Sequence, residues 1–96
     1  MLQLSDSELQ EVLKTLTPFL PEESKVFAYG SRTKGTARDY SDLDLAIQAR
    51  NPLPLVTLFK IRDAFEFSEL PFRVDVHNLD ELSDSIKNST NLIQIT

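Results

Sequence analysis

Two aspartates lie two positions apart in the run Asp42-Leu43-Asp44-Leu45-Ala46-Ile47. The alternation of polar and apolar residues predicts a strand. Side chains along a strand alternate faces, so both carboxylates share one face, about 7 Å apart along the chain. Leu43, Leu45 and Ile47 then point the other way, into a core. Like charges so placed repel unless a cation lies between them, and an oxygen-only ligand set suits magnesium or manganese. Asp75 repeats the pattern between Val74 and Val76. If the two strands are neighbours, three carboxylates converge. Such a cluster can hold two metals about 3.5–4 Å apart, the arrangement used for in-line phosphoryl displacement. Gly30-Ser31 supplies the complementary feature, a glycine that lets an anion approach the backbone and a serine at the mouth of a short helix. A phosphate group is the natural guest there. Arg32, Lys34 and Arg38 follow in the same segment and could neutralise a triphosphate.

Every one of these parts also has a plain reading. A D-x-D can be an exposed polar face, a Gly-Ser a simple turn, and Asp75 a surface acid. Lys34 and Arg38 fit a solvated loop as well as they fit phosphate. Together, in workable order, the parts point to metal-dependent phosphoryl chemistry. His77 reads as a strand-end or surface histidine ahead of a nucleotide contact. Phe59, Phe65, Phe67 and Phe72 read mostly as core, with any exposed one suited to a protein interface. Tyr29 reads as packed within its strand, and Tyr40 as a loop residue within reach of a nucleotide.

The elements that must position these groups are legible in outline. Ser5 and Glu8 form a capping box for a first helix with an apolar stripe at Leu9, Val12, Leu13 and Leu16. Pro18 and Pro21 end it. Lys25–Tyr29 reads as a buried strand, and Asp42–Ile47 as a second. Pro52 and Pro54 open a helix whose Leu55, Leu58, Ile61, Arg62 and Phe65 share one side, the apolar ones facing a sheet. Phe72–Val76 reads as a third strand. Asp80 to about Asn88 reads as a short amphipathic helix carrying Leu82 and Ile86. Leu92–Ile95 is either an edge strand or a frayed tail. The order predicts an α/β or α+β domain, with helices packed on a small sheet.

Composition narrows the function classes. The 96 residues suffice for one domain and one core. The absence of cysteine excludes thiolate zinc sites, disulfide scaffolds and cysteine nucleophiles, and the one histidine excludes a multi-His metal site. No apolar run approaches a membrane span, and the N-terminus lacks signal-peptide features. The expectation is a cytoplasmic protein without membrane contact. The net charge of −5 argues against direct nucleic-acid binding, which needs a basic face.

Gly30-Ser31, ten residues, then Asp42-Leu43-Asp44 resembles the G-S-x10-D-x-D signature of the nucleotidyltransferase superfamily related to DNA polymerase β. The fuller string from Tyr29 to Ala37, leading to Tyr40-Ser41-Asp42-Leu43-Asp44-Leu45, is similar to its minimal bacterial and archaeal branch, the MNT-type proteins. The resemblance runs from the first strand to Asp75, about half the chain, and the MNT-type length agrees. It implies the nucleotidyltransferase fold on a small mixed sheet, with residues 1–96 as a single minimal domain. It implies that Gly30 and Ser31 hold nucleotide phosphates. It further implies that Asp42 and Asp44 bind catalytic Mg2+, with Mn2+ as the other candidate, and that Asp75 completes the metal site and activates the acceptor hydroxyl. ATP is the implied substrate and AMP the transferred group. MNT-type proteins pair with small helical HEPN proteins in toxin–antitoxin modules, so the resemblance implies a hetero-oligomer with such a partner. A small-molecule nucleotidyltransferase and a non-catalytic binding partner are the alternatives.

Overall fold

Helix α1, Asp6–Leu16, starts where the capping box requires: Ser5 Oγ accepts from the Glu8 amide at 3.1 Å, and Glu8 Oε1 accepts from the Ser5 amide at 2.9 Å. The structure is a computed structural model that describes residues 2–96. α1 buries Val12 and Leu16 and runs into a single 3-10 turn, Thr17–Phe19, at Pro18. Strand β1, Lys25–Tyr29, leads through Gly30 into the one-turn helix α2, Ser31–Lys34. Strand β2 is Leu43–Gln48, helix α3 is Leu55–Glu66 and strand β3 is Val74–Asn78. A 3-10 turn at Leu79–Glu81, the one-turn helix α4 at Asp84–Lys87 and strand β4 at Ile93–Gln94 complete the chain.

The four strands form one mixed sheet in the order β3-β2-β1-β4. β1 pairs antiparallel with both β2 and β4, while β2 and β3 are parallel. A parallel pair cannot be closed by a tight turn, and α3 provides the crossover. One sheet face carries Val26, Ala28, Leu43, Leu45, Ile47, Val74 and Val76 into a core shared with Val12 and Leu16 of α1 and Leu58, Ile61 and Phe65 of α3. The expected small mixed sheet with helices packed on it is therefore present.

Three local expectations need correction, and one open alternative is decided. Leu55 does not face the sheet; it is 62% exposed, as Val56 and Phe59 largely are. Leu53 fills that end of the core instead, because buried Asn78 binds both its backbone groups, accepting from the amide at 2.8 Å and donating to the carbonyl at 3.0 Å. The third strand begins at Val74, two residues late, since Phe72 packs under the Arg32 guanidinium 4.0 Å away. The helix expected over Asp80–Asn88 breaks into two single turns, because Leu82 and Ser83 are both extended. The C-terminal segment resolves to an edge strand, tied down by the Ile95 amide donating to Val26 O at 2.8 Å.

Candidate active site

The second face of the sheet holds the acids. In the ladder Asp44 stands between Tyr29 of β1 and Asp75 of β3 as register partner of both. Neighbouring strands lie about 4.8 Å apart, so Asp44 and Asp75 are side by side. Asp42 precedes β2 by one residue and is exposed. The parallel pairing of β2 with β3 thus sets Asp44 beside Asp75, with Asp42 two residues before Asp44 in the chain.

Their electrostatics show the crowding. Burial is the main cause that raises the Asp44 pKa above the usual carboxylate range, followed by Asp75 and then Asp42, against a lowering contribution from His77. Tyr29 is pushed up to about 12, by burial first and then by Asp44 and Asp75. Its phenol therefore stays protonated at neutral pH. Asp75 Oδ1 lies 3.8 Å from an exposed Arg73 nitrogen. Among the described residues no group of three His, Asp or Glu side chains is arranged so that it could hold a metal ion. The donor set nonetheless fits a hard divalent cation. It is all oxygen, and such an ion would relieve the like-charge repulsion imposed on Asp44.

Gly30 links the acids to the phosphate loop. Its φ of +84° is a conformation that L side chains rarely adopt, and an added Cβ would overlap the Asp44 carboxylate. The Thr33 amide and hydroxyl both donate to Gly30 O, at 3.1 and 3.0 Å, which fixes the turn into α2. Gly35 closes α2 in the left-handed region at φ +75°. Half-buried Ser31 opens α2, and exposed Lys34 ends it. Beside them a cavity of about 330 Å³ is lined by Tyr29, Gly30, Lys34 and, from the C-terminal segment, Ser85, Ser89 and Asn91. Exposed Arg38 lines neither this cavity nor the larger one described next.

Arg32 departs from the expectation that it meets phosphate. It is only 5% exposed. Its guanidinium donates to Gln3 O at 2.7 Å, Ser41 O at 3.0 Å and Asp39 O at 3.3 Å, and it stacks on Phe72. With its donors committed to backbone carbonyls, Arg32 joins the N-terminal arm, the loop before Asp42 and the approach to β3. Gln3 reinforces this by accepting from the Ala37 amide at 3.0 Å. A second cavity, of about 650 Å³, opens beside Asp42 and Asp75 and is bounded by α3 and by the segment leading into β3.

Several neighbours of the acids carried no sequence signal of their own. Tyr29 looked like a core aromatic but flanks Asp44 in register. His77 lies within β3, half-buried, two residues along the strand from Asp75. Arg62 of α3 and the C-terminal Ser85, Ser89 and Asn91 reach the site only through folding. Only the antiparallel pairing of β1 with β2 reveals that Tyr29 stands beside Asp44.

Comparison with known proteins places this geometry among relatives. The family described as polymerase beta, nucleotidyltransferase matches residues 8–93. The probable protein adenylyltransferase MntA of Haemophilus influenzae is 44% identical over 70 residues, 73% of this chain. Those residues span 61% of the relative's length, so under two thirds of that protein is represented. A crystal structure of the toxin–antitoxin MntA–HpeT with two aspartate-to-glutamate substitutions superposes with a TM-score of 0.73, covering 92% of this chain and 71% of that one at 19% identity. A crystal structure of a toxin–antitoxin with AMP-PNP gives a TM-score of 0.65, covering 78% and 60% at 24% identity. At these identities the structural likeness concerns the fold.

Proposed function

The chain belongs to the polymerase beta nucleotidyltransferase family, and from that premise we propose that it transfers AMP from ATP to a hydroxyl acceptor, a tyrosine of a small helical HEPN-type toxin, and so serves as the antitoxin. The observation that carries this reading is the register of Asp44 beside Asp75, with Gly30 packed tightly against Asp44. The name of the MntA relative and the AMP-PNP in one similar toxin–antitoxin structure support the choice of reaction and nucleotide. On this reading residues 1–96 work as one minimal domain, in the cytoplasm, in a hetero-oligomer with the toxin. The acidic balance agrees with a protein partner in place of nucleic acid.

The roles follow the geometry. Gly30 and Ser31 present backbone amides and a hydroxyl to the triphosphate, and Lys34 and Arg38 balance its charge from the loop. Asp42, Asp44 and Asp75 would hold Mg2+ or Mn2+, which supplies charge neutralisation and acidifies the acceptor hydroxyl when bound. Asp75 takes the acceptor proton. The rest of the rate enhancement is positioning. Arg32 has no contact with nucleotide in this scheme; it holds the loop.

The test is an intact-mass measurement on the chain mixed with the product of its neighbouring gene, ATP and magnesium. We expect AMP on the partner and none with the folded double variant Asp42→Asn, Asp44→Asn. A stable complex without any adduct, across ATP, GTP, CTP and UTP and with either metal, would leave a binding antitoxin as the function.

A further inference from the structure

Helix α3 has two apolar sides, and the fold uses one of them. Leu58, Ile61 and Phe65 enter the core, while Leu55, Val56, Phe59 and, at the C-cap, Phe67 stay exposed. Val56 is 59% and Phe67 90% exposed, so none of the described residues covers them. Apolar side chains exposed singly are ordinary, but four on one helix make a patch.

The outermost line of the helix gives this patch an order. Val56, Lys60, Asp63 and Phe67 follow one another at intervals of four, three and four residues. At 3.6 residues per turn they fall within about 60° of one another, opposite the buried side. That spacing is the seam of a coiled coil, with Val56 and Asp63 at d positions and Lys60 and Phe67 at a positions. Phe59 flanks the seam, its ring centre 5.7 Å from the Arg62 guanidinium. Lys60 and Asp63 are exposed, and neither joins an ion pair among the described residues.

The pattern is complementary to itself. Laid antiparallel on a copy about a two-fold axis between Lys60 and Asp63, it sets Val56 against Phe67 of the second copy and Lys60 against Asp63 of the second copy. The two-fold repeats both contacts, giving two ion pairs at the centre and an apolar layer at each end. Parallel pairing would set Lys60 on Lys60 and Asp63 on Asp63, so charge selects the antiparallel arrangement. A partner of other sequence would have to match this order independently, whereas a second copy matches it by construction.

We propose that the outer side of α3 is a self-association surface, on which a second copy of this chain docks antiparallel to form a homodimer. The proposal is independent of the transferase reading. α3 packs on the sheet face opposite the acids, so pairing leaves both acid rows open. One 12-residue helix from each copy makes an interface at the low end of the size range, under about 1,200 Å², and the dimer is correspondingly weak.

Sedimentation equilibrium on the full chain, from micromolar to millimolar concentration, tests this, with circular dichroism to show that each variant is folded. Wild type should pass from monomer to dimer across the series. Lys60→Glu and Asp63→Lys should each weaken dimerisation on the order of tenfold or more, because each substitution brings like charges together twice. Combining Lys60→Glu with Asp63→Lys restores opposite charges and should return dimerisation to near the wild-type level. A wild-type chain that stays monomeric throughout, single variants that dimerise like wild type, or a double variant no better than the singles would overturn the proposal. Loss of the toxin partner from the two single variants and the double variant alike, on a sizing column, would assign this side of α3 to that partner and overturn it too.

Discussion

Asp44 concentrates the strain of the site. It is flanked in register by Tyr29 and Asp75, pressed by Gly30, and its charged form is disfavoured mainly by burial and next by Asp75 and Asp42. The consequence for stability has a definite sign. Between the ordinary carboxylate value of 3.8 and the raised folded value, the folded chain keeps a proton that the unfolded chain has released. Stability therefore falls as pH rises through that window, and the full penalty applies above it. Without divalent cations, Asp44→Asn should melt at a higher temperature than wild type at neutral pH, and the difference should vanish as pH falls below 3.8. Melting curves over a pH series decide this; a variant less stable at neutral pH would mean that the carboxylate contributes more by hydrogen bonding than it costs by burial and repulsion. His77 partly offsets the cost, a role invisible while it was only the residue two places after Asp75.

At the scale of elements, the site is assembled by a latch. Arg32 of α2 holds the N-terminal arm through Gln3 O, the loop before β2 through Asp39 O and Ser41 O, and the entry to β3 through Phe72. The last two are the segments that carry Asp42 and Asp75. A planar fork with five donors can serve three carbonyls and an aromatic face at once; an ammonium cannot. Arg32→Lys should therefore lose roughly 2–4 kcal/mol by urea denaturation, with its carbonyls left underbonded. Stability within a few tenths of wild type would show that the loop holds without the fork. From sequence, Arg32 was indistinguishable from Lys34 and Arg38, since all three are cations beside a Gly-Ser. Burial separated them, because Arg32 points under the loop while Lys34 and Arg38 stay exposed.

At the scale of the molecule, the acids raise a cost in the free protein that a bound cation would remove. Any ligand that binds the folded state alone stabilises it by mass action, by about 1.4 kcal/mol at ten times its Kd. For a domain of this size each kcal/mol raises Tm by about 4–8 °C. Magnesium should accordingly raise the Tm of wild type by several degrees at saturation and leave the double variant Asp42→Asn, Asp44→Asn unmoved. An equal rise in both proteins would place the ion elsewhere.

The local devices were determined by the sequence itself. The Ser5–Glu8 capping box, the alternation around Asp44 and Asp75, and the helix after Pro54 depend on interactions within a few residues, so each is written in a short window. The G-S and D-x-D spacing likewise announced the family. What only the tertiary structure decided depends on residues far apart in the chain. Pairing β2 parallel to β3 set Asp44 beside Asp75; antiparallel pairing of β1 with β2 put Tyr29 on the other side. Asn78 chose Leu53 over Leu55 for the core, and Phe72 left the ladder to meet Arg32. The cleft beside Asp75 joins α3 to the segment before β3. Register and burial are properties of contacts between elements, and a single strand's alternation states which faces it has but not which neighbour each face will meet.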